Sequence, residues 1–87
     1  SLHSKERTNV YWYLSLTYPA WATIIDIARG VQSDYKNVKG ALNGDGERYS
    51  KKLALRKMCL VERKTVKYGG QKRYMYRAKR SNSIPVL

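Results

Sequence analysis

The chain has 87 residues, of which 18 are lysine or arginine and six are aspartate or glutamate, so its net charge is +12. This length supports one small domain with a modest core. The charge favours an anionic partner, for which nucleic acid is the first candidate and an anionic membrane surface the second. The third interpretation is a basic protein that is simply solvated. No apolar run approaches the ~18 residues of a membrane span, and the single cysteine excludes an internal disulfide.

The usual signatures of an enzyme or a metalloprotein are missing from the sequence. The only histidine, His3, lies near the N-terminus, and the six carboxylates are scattered. No Cys/His cluster has the spacing of a zinc site, and no glycine-rich phosphate loop ends in Lys-Ser or Lys-Thr. We therefore expect no catalytic activity, no metal and no cofactor. Apolar neighbours around Cys59 predict a buried thiol in a reducing, cytoplasmic compartment.

The first predicted element is a helix with an N-cap at Asn9 that ends near Thr17. The polar residues 1–8 predict a flexible tail, and Tyr18-Pro19 ends the helix because a residue before proline avoids helical dihedral angles. Apolar side chains spread around this helix predict burial on more than one side: Val10, Trp12, Tyr13, Leu14 and Leu16. The alternative is that some of Tyr11, Trp12 and Leu16 contact a second subunit. Trp21 is expected to pack on this helix and fix the entry to the next one.

The central segment, residues 23–44, has the pattern of two short helices joined by a tight turn. Apolar residues recur at helical spacing first in Ile24, Ile27, Ala28 and Val31 and then in Val38, Ala41 and Leu42. Turn and N-cap residues lie between the two sets: Gly30, Gln32, Ser33 and Asp34. This pattern predicts a helix-turn-helix, whose second helix enters the major groove of DNA.

The same segment resembles the helix-turn-helix of the lactose-repressor family over about a quarter of the chain. The matching pieces are Thr23-Ile24, Asp26-Ile27-Ala28-Arg29, Val38 and Ala41-Leu42-Asn43-Gly44. The family usually has glycine at the turn and an apolar residue after it, where this chain has Gln32 and Ser33. Since a non-glycine residue with positive φ costs roughly 1 kcal/mol, we expect a turn of different shape. The resemblance also implies a phosphate contact near Thr23.

The predicted recognition helix starts at Ser33 or Asp34 and runs to Asn43. The resemblance implies base contacts at Tyr35, at Lys36 and at the position held by Gly40, where the missing side chain loses the contact or passes it to the backbone. Lysine pairs with guanine and asparagine with adenine. The predicted DNA-binding set on this helix is Ser33, Tyr35, Lys36, Asn37, Lys39, Gly40 and Asn43. The alternative is that these are ordinary solvated helix residues, with Tyr35 half-buried.

A further helix is predicted over residues 47–58, after a break at Gly44-Asp45-Gly46. Its basic side is expected to grip the DNA backbone through Arg48, Lys51 and Lys52. In many winged-helix proteins the recognition helix leads directly into the first strand of the wing. Residues 47–58 are therefore the alternative recognition helix.

Two strands are predicted on either side of Gly69-Gly70, over residues 60–66 and 73–79, because Gly-Gly between such runs is a strong hairpin signal. The predicted register pairs Tyr68 with Gln71, Thr65 with Tyr74 and Glu62 with Arg77. The side chains expected to pack on the helices are Val61, Tyr74, Tyr76 and Ala78. DNA contacts are predicted at the tip, for Lys67, Tyr68, Gly69, Gly70, Lys72 and Arg73; a solvated hairpin is the alternative.

The hairpin region resembles the wing of small archaeal and bacterial winged-helix regulators. The resemblance rests on the order Cys59-Leu60-Val61-Glu62-Arg63, followed by a glycine turn and then Tyr-Met-Tyr. Residues 48–80 hold 13 of the 18 lysines and arginines and one acid, Glu62, as expected for a phosphate footprint. We predict a mainly α fold with a small β-hairpin: a winged helix-turn-helix domain over residues 9–80, with three to four helices plus the wing. Residues 81–87 are predicted to be a C-terminal tail.

The predicted function is sequence-specific binding of double-stranded DNA, with a role in transcription regulation. Helix 33–43 would lie in the major groove and wing 67–73 on the flanking backbone or minor groove. We expect a cytoplasmic, nucleoid-associated homodimer with no membrane contact, and a further protein partner is conceivable at the first helix or the C-terminal tail. The alternatives are a nucleoid, plasmid or viral protein that organises DNA with low sequence specificity, a winged helix that binds an acidic protein, and a protein that binds RNA.

Overall fold

The computed structural model describes residues 5–44 and 51–79, which form three α-helices followed by a two-stranded antiparallel hairpin. The elements are α1 (Lys5–Thr17), α2 (Ile24–Val31), α3 (Tyr35–Asn43), β1 (Val61–Tyr68) and β2 (Gln71–Ala78). The predicted class is therefore confirmed: a mainly helical domain with a small β-hairpin, in the layout of a winged helix. None of the helices in these two ranges has the length and hydropathy needed to cross a bilayer.

Helix α1 is longer than predicted and is buried along one stripe. It begins at Lys5, so Asn9 lies inside the helix and residues 5–8 are not part of a tail. Val10 and Leu14 are fully buried, whereas Trp12 is 60% exposed and Leu16 is 79% exposed. The prediction that Trp12 and Leu16 belong to the core is wrong, because α2, α3 and β2 cover only the side of α1 that carries Val10 and Leu14.

Both central helices have N-terminal caps, and the cap of α3, Asp34, is one of the two predicted starts of that helix. Thr23 Oγ1 accepts a hydrogen bond of 3.1 Å from the Asp26 amide, and Asp26 Oδ2 accepts one of 3.1 Å from the Thr23 amide, which completes a capping box. Asp34 caps α3 by accepting a 2.7 Å bond from the Asn37 amide. Between the helices Gln32 has φ 56° and ψ 48°, so it adopts the left-handed conformation itself. The expected change of turn shape does not occur at this residue.

The core lies where the three helices meet the inner face of the hairpin. The predicted interior residues of α3, Val38, Ala41 and Leu42, have no exposed surface. The other side chains in this cluster that are fully buried are Val10, Leu14, Ile27, Leu55 and Tyr76.

The segment after α3 is not an α-helix over residues 51–58, so the predicted helix 47–58 is wrong in its described part. One 3-10 turn, Lys51–Leu53, is followed by irregular turns. The Leu55 amide donates a 3.0 Å bond to the Ala41 carbonyl, and the Arg56 amide donates one of 3.0 Å to the Leu42 carbonyl. These bonds satisfy carbonyls that the end of α3 leaves open. Residues 51–58 therefore do not form the alternative recognition helix.

Cys59 also departs from its prediction. Its thiol is exposed rather than buried, and its backbone has φ 60°. The residue lies in the bend that directs the chain from the turns into β1, and this backbone conformation directs its side chain outward while Leu55 and Val61 on either side fill the core.

The hairpin has the predicted register. Tyr68 pairs with Gln71, and the ladder continues through Thr65 with Tyr74 and Glu62 with Arg77. Gly69 and Gly70 close the turn with φ 53° and 84°, which glycine adopts without steric cost. Val61, Tyr76 and Ala78 are buried against the helices, while Tyr74, nearer the tip, is 44% exposed.

A third extended segment joins the hairpin just before α2. The Ala22 amide donates a 2.9 Å bond to the Tyr76 carbonyl, and the Tyr76 amide donates one of 2.8 Å back to the Ala22 carbonyl. This pair ties the start of the helix-turn-helix directly to β2.

Candidate nucleic-acid interface

The first half of α3 carries the exposed side chains of the predicted recognition helix. Tyr35 is 51% exposed, and Lys36 and Lys39 are also on the surface. Asn37 is half-buried, and its side-chain amide donates a 3.3 Å bond to Asp34 Oδ2. The residues of α3 that face outward are thus concentrated near its N-terminus.

Three members of the predicted DNA-binding set are engaged inside the protein. Gly40 is buried, because the helix face that packs on α1 and α2 is wider than the stripe of Val38, Ala41 and Leu42. Asn43 is half-buried: its Nδ2 donates a 3.0 Å bond to the Tyr76 hydroxyl, and its Oδ1 accepts a 2.9 Å bond from Arg56 Nη1. The Ser33 hydroxyl donates a 2.9 Å bond to Glu6 Oε1 on α1. The expectation that Gly40 lies toward the outside of α3 or at its margin is wrong, whereas Asn43 does lie at the margin.

The predicted basic helix is replaced by an exposed turn. Lys51 and Lys52 lie on the surface of the 3-10 turn rather than along one side of a helix. Arg48 lies outside the described residues.

The hairpin tip carries all the predicted wing residues at the surface. Tyr68 is 67% exposed, and the remaining exposed members are Lys67, Gly69, Gly70, Lys72 and Arg73. Three of these six residues are cations, so the tip presents concentrated positive charge around an exposed aromatic ring. This combination suits contact with phosphates and sugars.

Two adjoining clefts lie between the hairpin and the start of α2, and the first of them also reaches the start of α3. The first has a volume of about 270 Å³ and is lined by Thr23, Ile24, Ile25, Tyr35, Lys72, Arg73 and Tyr74. The second has a volume of about 350 Å³ and is lined by Thr23, Val66, Tyr68, Arg73 and Met75. Because both contain Thr23 and Arg73, they adjoin at these two residues, and we call the two clefts together the wing groove. The wing groove has apolar and aromatic walls with cations from the hairpin.

The base of the hairpin is held by cations stacked on an aromatic ring. Lys64 Nζ lies 4.4 Å from the centre of the Trp21 ring, and the Arg77 guanidinium carbon lies 4.4 Å from the same centre. Arg77 also forms an ion pair of 3.1 Å between its Nε and Glu62 Oε2. Such contacts contribute about 0.5–1 kcal/mol each at exposed sites. They stabilise the hairpin against the segment that enters α2.

Sequence reasoning missed Ile25, Tyr74 and the hairpin contacts of Trp21. Ile25 is 47% exposed and lines the wing groove. The signal for Trp21 was weak, because the extended segment before α2 pairs with β2 through a single residue, Ala22, and one pair is too short to show strand periodicity. Within the two described ranges no group of three or more histidine, cysteine or carboxylate side chains is placed to hold a metal ion.

Comparison with known proteins adds a family. Residues 1–82 match the family described as EarA-like. The chain is 38% identical over 71 residues to the uncharacterized protein MJ0905 of Methanocaldococcus jannaschii. That match covers 82% of this chain and 62% of the relative, so the chain spans less than two thirds of the relative's length. No solved structure matches the chain.

Proposed function

This chain belongs to the EarA-like family, and we propose that it binds double-stranded DNA sequence-specifically and regulates transcription. The observation that carries the proposal is the wing groove, in which Tyr35 of α3 lies in the same cleft as Lys72 and Arg73 of the hairpin. A helix start and hairpin cations that line one cleft can contact a major groove and its flanking backbone together.

In this proposal α3 enters the major groove by its N-terminal end. The major groove is about 12 Å wide and admits an α-helix. Lys36 is exposed in the first turn of α3, where its ammonium group can donate to guanine O6 and N7. Tyr35 and Ile25 supply apolar surface beside it, which suits contact with thymine methyl groups or deoxyribose.

The hairpin supplies the contacts that do not depend on sequence. Lys67, Lys72 and Arg73 lie at the exposed tip, and each cation that neutralises a phosphate releases counterions. Each such contact adds about 0.9 to the slope of the logarithm of affinity against the logarithm of salt concentration. The net charge of +12 also accelerates the encounter with DNA.

One observation favours a second candidate, a protein that organises DNA with little sequence preference. Gly40 is buried in α3, and Asn43 is bonded to Tyr76 and Arg56, so fewer side chains remain to read bases than the sequence suggested. The surface charge is unaffected by this loss. The two candidates therefore differ in how much of the binding free energy depends on the base sequence.

Binding to a pool of genomic fragments and to random duplex, each at several salt concentrations, separates these functions. Preference for a few fragments that persists as salt rises supports the site-specific regulator. Equal and steeply salt-dependent binding to all duplexes supports the DNA-organising protein. No binding to duplex at low salt contradicts both and directs the search to an acidic protein partner or RNA.

Alanine variants test the placement of the interface. Lys36→Ala is expected to relax the choice of sequence, whereas Lys72→Ala is expected to weaken all duplexes about equally and to lower the salt slope by about one. Lys57→Ala is the matched control, because Lys57 is exposed and adjoins Arg56, which contacts α3 at Asn43, the end opposite Tyr35. If Lys36→Ala and Lys72→Ala leave DNA affinity equal to that of Lys57→Ala, the interface has been placed wrongly.

A further inference from the structure

An uncharged surface on α1 contrasts with the rest of this basic chain. Residues 8–25 contain no lysine, arginine, aspartate, glutamate or histidine, although 28% of the whole chain is charged. Most of α1 lies within this stretch. Its outward side carries Asn9, Trp12 and Leu16 at helical spacing, which we call the α1 face. Trp12 and Leu16 are 60% and 79% exposed, the latter being the most exposed large apolar side chain in the described part of the chain.

We propose that the α1 face is the contact surface between two copies of this chain. Two molecules that each carry a charge of +12 repel one another, so a surface free of charge is the most favourable place for them to associate. The α1 face meets that condition. An acidic partner would gain most by contacting the cationic surfaces instead, and most of these lie on the hairpin, on α3 and in the turns that follow α3.

A two-fold axis through the middle of the α1 face lets the exposed apolar side chains pack against each other and keeps the charged residues of the two copies apart. With α1 antiparallel to its symmetry mate, Trp12 of one copy lies beside Leu16 of the other, and the contact repeats on the opposite side of the axis. The two Lys5 side chains then lie at opposite ends. Nine residues separate Lys5 from the midpoint near Leu14, which places the two Lys5 residues roughly 27 Å apart at 1.5 Å per residue, well beyond the Debye length of about 8–10 Å.

The exposed area indicates a reversible dimer rather than a permanent one. At 60% exposure, Trp12 offers roughly 100–150 Å² of the surface that a tryptophan can bury. Adding Leu16 and Asn9 gives a few hundred Å² per copy, below the ~800 Å² per partner of a standard stable interface. We therefore expect monomers and dimers in equilibrium.

The effect of salt on binding distinguishes a second copy of the chain from the other partners that could bind the α1 face. Screening reduces the repulsion between like-charged copies, so the dimer should become more stable as the salt concentration rises. An acidic protein or a nucleic acid would bind less tightly under the same change. The test uses no DNA, so its result is independent of the function proposed above.

The experiment is sedimentation equilibrium of the 87-residue chain at about 0.05 M and about 0.5 M salt, with Leu16→Glu and Met58→Glu as matched variants. Both substitutions change the net charge equally, but Met58 lies on a surface turn outside α1. We expect the wild-type chain to dimerise more strongly as the salt concentration rises. Leu16→Glu should raise the dissociation constant of the dimer roughly a hundredfold or more, because the change occurs twice in the interface. Met58→Glu should not weaken the dimer.

A neutral variant guards against an effect of charge alone. Leu16→Ser adds no charge and is also expected to weaken the dimer, with circular dichroism confirming that each variant folds. A chain that stays monomeric at both salt concentrations overturns the proposal. Association that weakens with salt, or that responds equally to Leu16→Glu and Met58→Glu, also overturns it.

Discussion

Replacing Asn43 by alanine should destabilise the fold without changing which DNA sequences the folded protein prefers. Asn43 is the last residue of α3, and its side chain links two other elements. Its Nδ2 donates to the hydroxyl of Tyr76 in β2, which has no exposed surface, and its Oδ1 accepts from Arg56. The structure thus gives Asn43 a role in holding α3 to the hairpin.

The expected loss of stability is about 1–3 kcal/mol. Leaving the buried Tyr76 hydroxyl without its partner costs about 1–3 kcal/mol. Arg56 is only half-buried, so water replaces much of its lost bond, and this loss adds at most about 1 kcal/mol. Alanine recovers only a few tenths of a kcal/mol of helix propensity at the end of α3. For a domain of this size the sum lowers Tm by roughly 5–20 °C.

Chemical denaturation of Asn43→Ala, Tyr76→Phe and the double variant measures the link between the two side chains. We expect a coupling energy of about 1 kcal/mol, because either single change already breaks the bond between Asn43 and Tyr76. A loss below about 0.5 kcal/mol for Asn43→Ala would refute the reasoning. So would a folded Asn43→Ala protein that keeps its stability but changes its preference among DNA fragments, since that result assigns the side chain to base reading.

Two further predictions concern the helix-turn-helix itself, both measured by thermal and chemical denaturation. Gln32→Gly should raise the free energy of unfolding by about 0.5–1 kcal/mol, because residue 32 has φ 56° and glycine adopts this conformation without the steric cost that other residues meet. Gln32→Ala keeps that cost and is the control. An equal gain in both variants would contradict the argument. Gly30→Ala should lower stability by about 1–2 kcal/mol despite the better helix propensity of alanine, because a Cβ at residue 30 would lie 2.6 Å from Cδ1 and 2.7 Å from Cζ of Tyr13. In a Tyr13→Ala background the same change should become stabilising, and a penalty that persists there would show that the Tyr13 ring is not its cause.

The hairpin and the central helices were predictable because short-range chemistry determines them. Gly69-Gly70 sets the turn, and the turn sets every pair of the ladder down to Glu62 with Arg77. Asp34 caps α3 through its own side chain. In each case the residues that determine the geometry are close together in sequence, so the local sequence pattern is enough to predict the local structure.

The errors arose where distant contacts decide between two local possibilities. Residues 47–58 have an acceptable helical pattern, but the backbone bonds of Leu55 and Arg56 to α3 hold residues 54–58 in turns. Trp12 and Leu16 are apolar, but the sequence around them does not show that the elements packed on α1 cover only the opposite side of that helix. Asn43 is polar at a helix surface, and its partner Tyr76 lies 33 residues later. Sequence spacing alone cannot show such a contact.

The geometry of the wing groove depends on how the hairpin is attached to α2. Ala22 pairs with Tyr76 through two backbone bonds, and the adjacent Trp21 ring stacks with Lys64 and Arg77. These contacts anchor the base of the hairpin one residue before the Thr23 cap of α2. The distance from the hairpin tip to the start of α3 is therefore set by folded structure and not by a free loop.

Such an anchor matters because a hairpin and a helix can read one duplex only at a constant separation. None of the residues that line the wing groove belongs to α1, so the groove and the α1 face are separate surfaces. The cations of the described residues lie mainly on the hairpin, on α3 and in the turns that follow α3, and the uncharged stretch lies on α1. In the proposed function a duplex would occupy the first surface and a second copy the other, and the neutralisation of positive charge by DNA would then favour the dimer further.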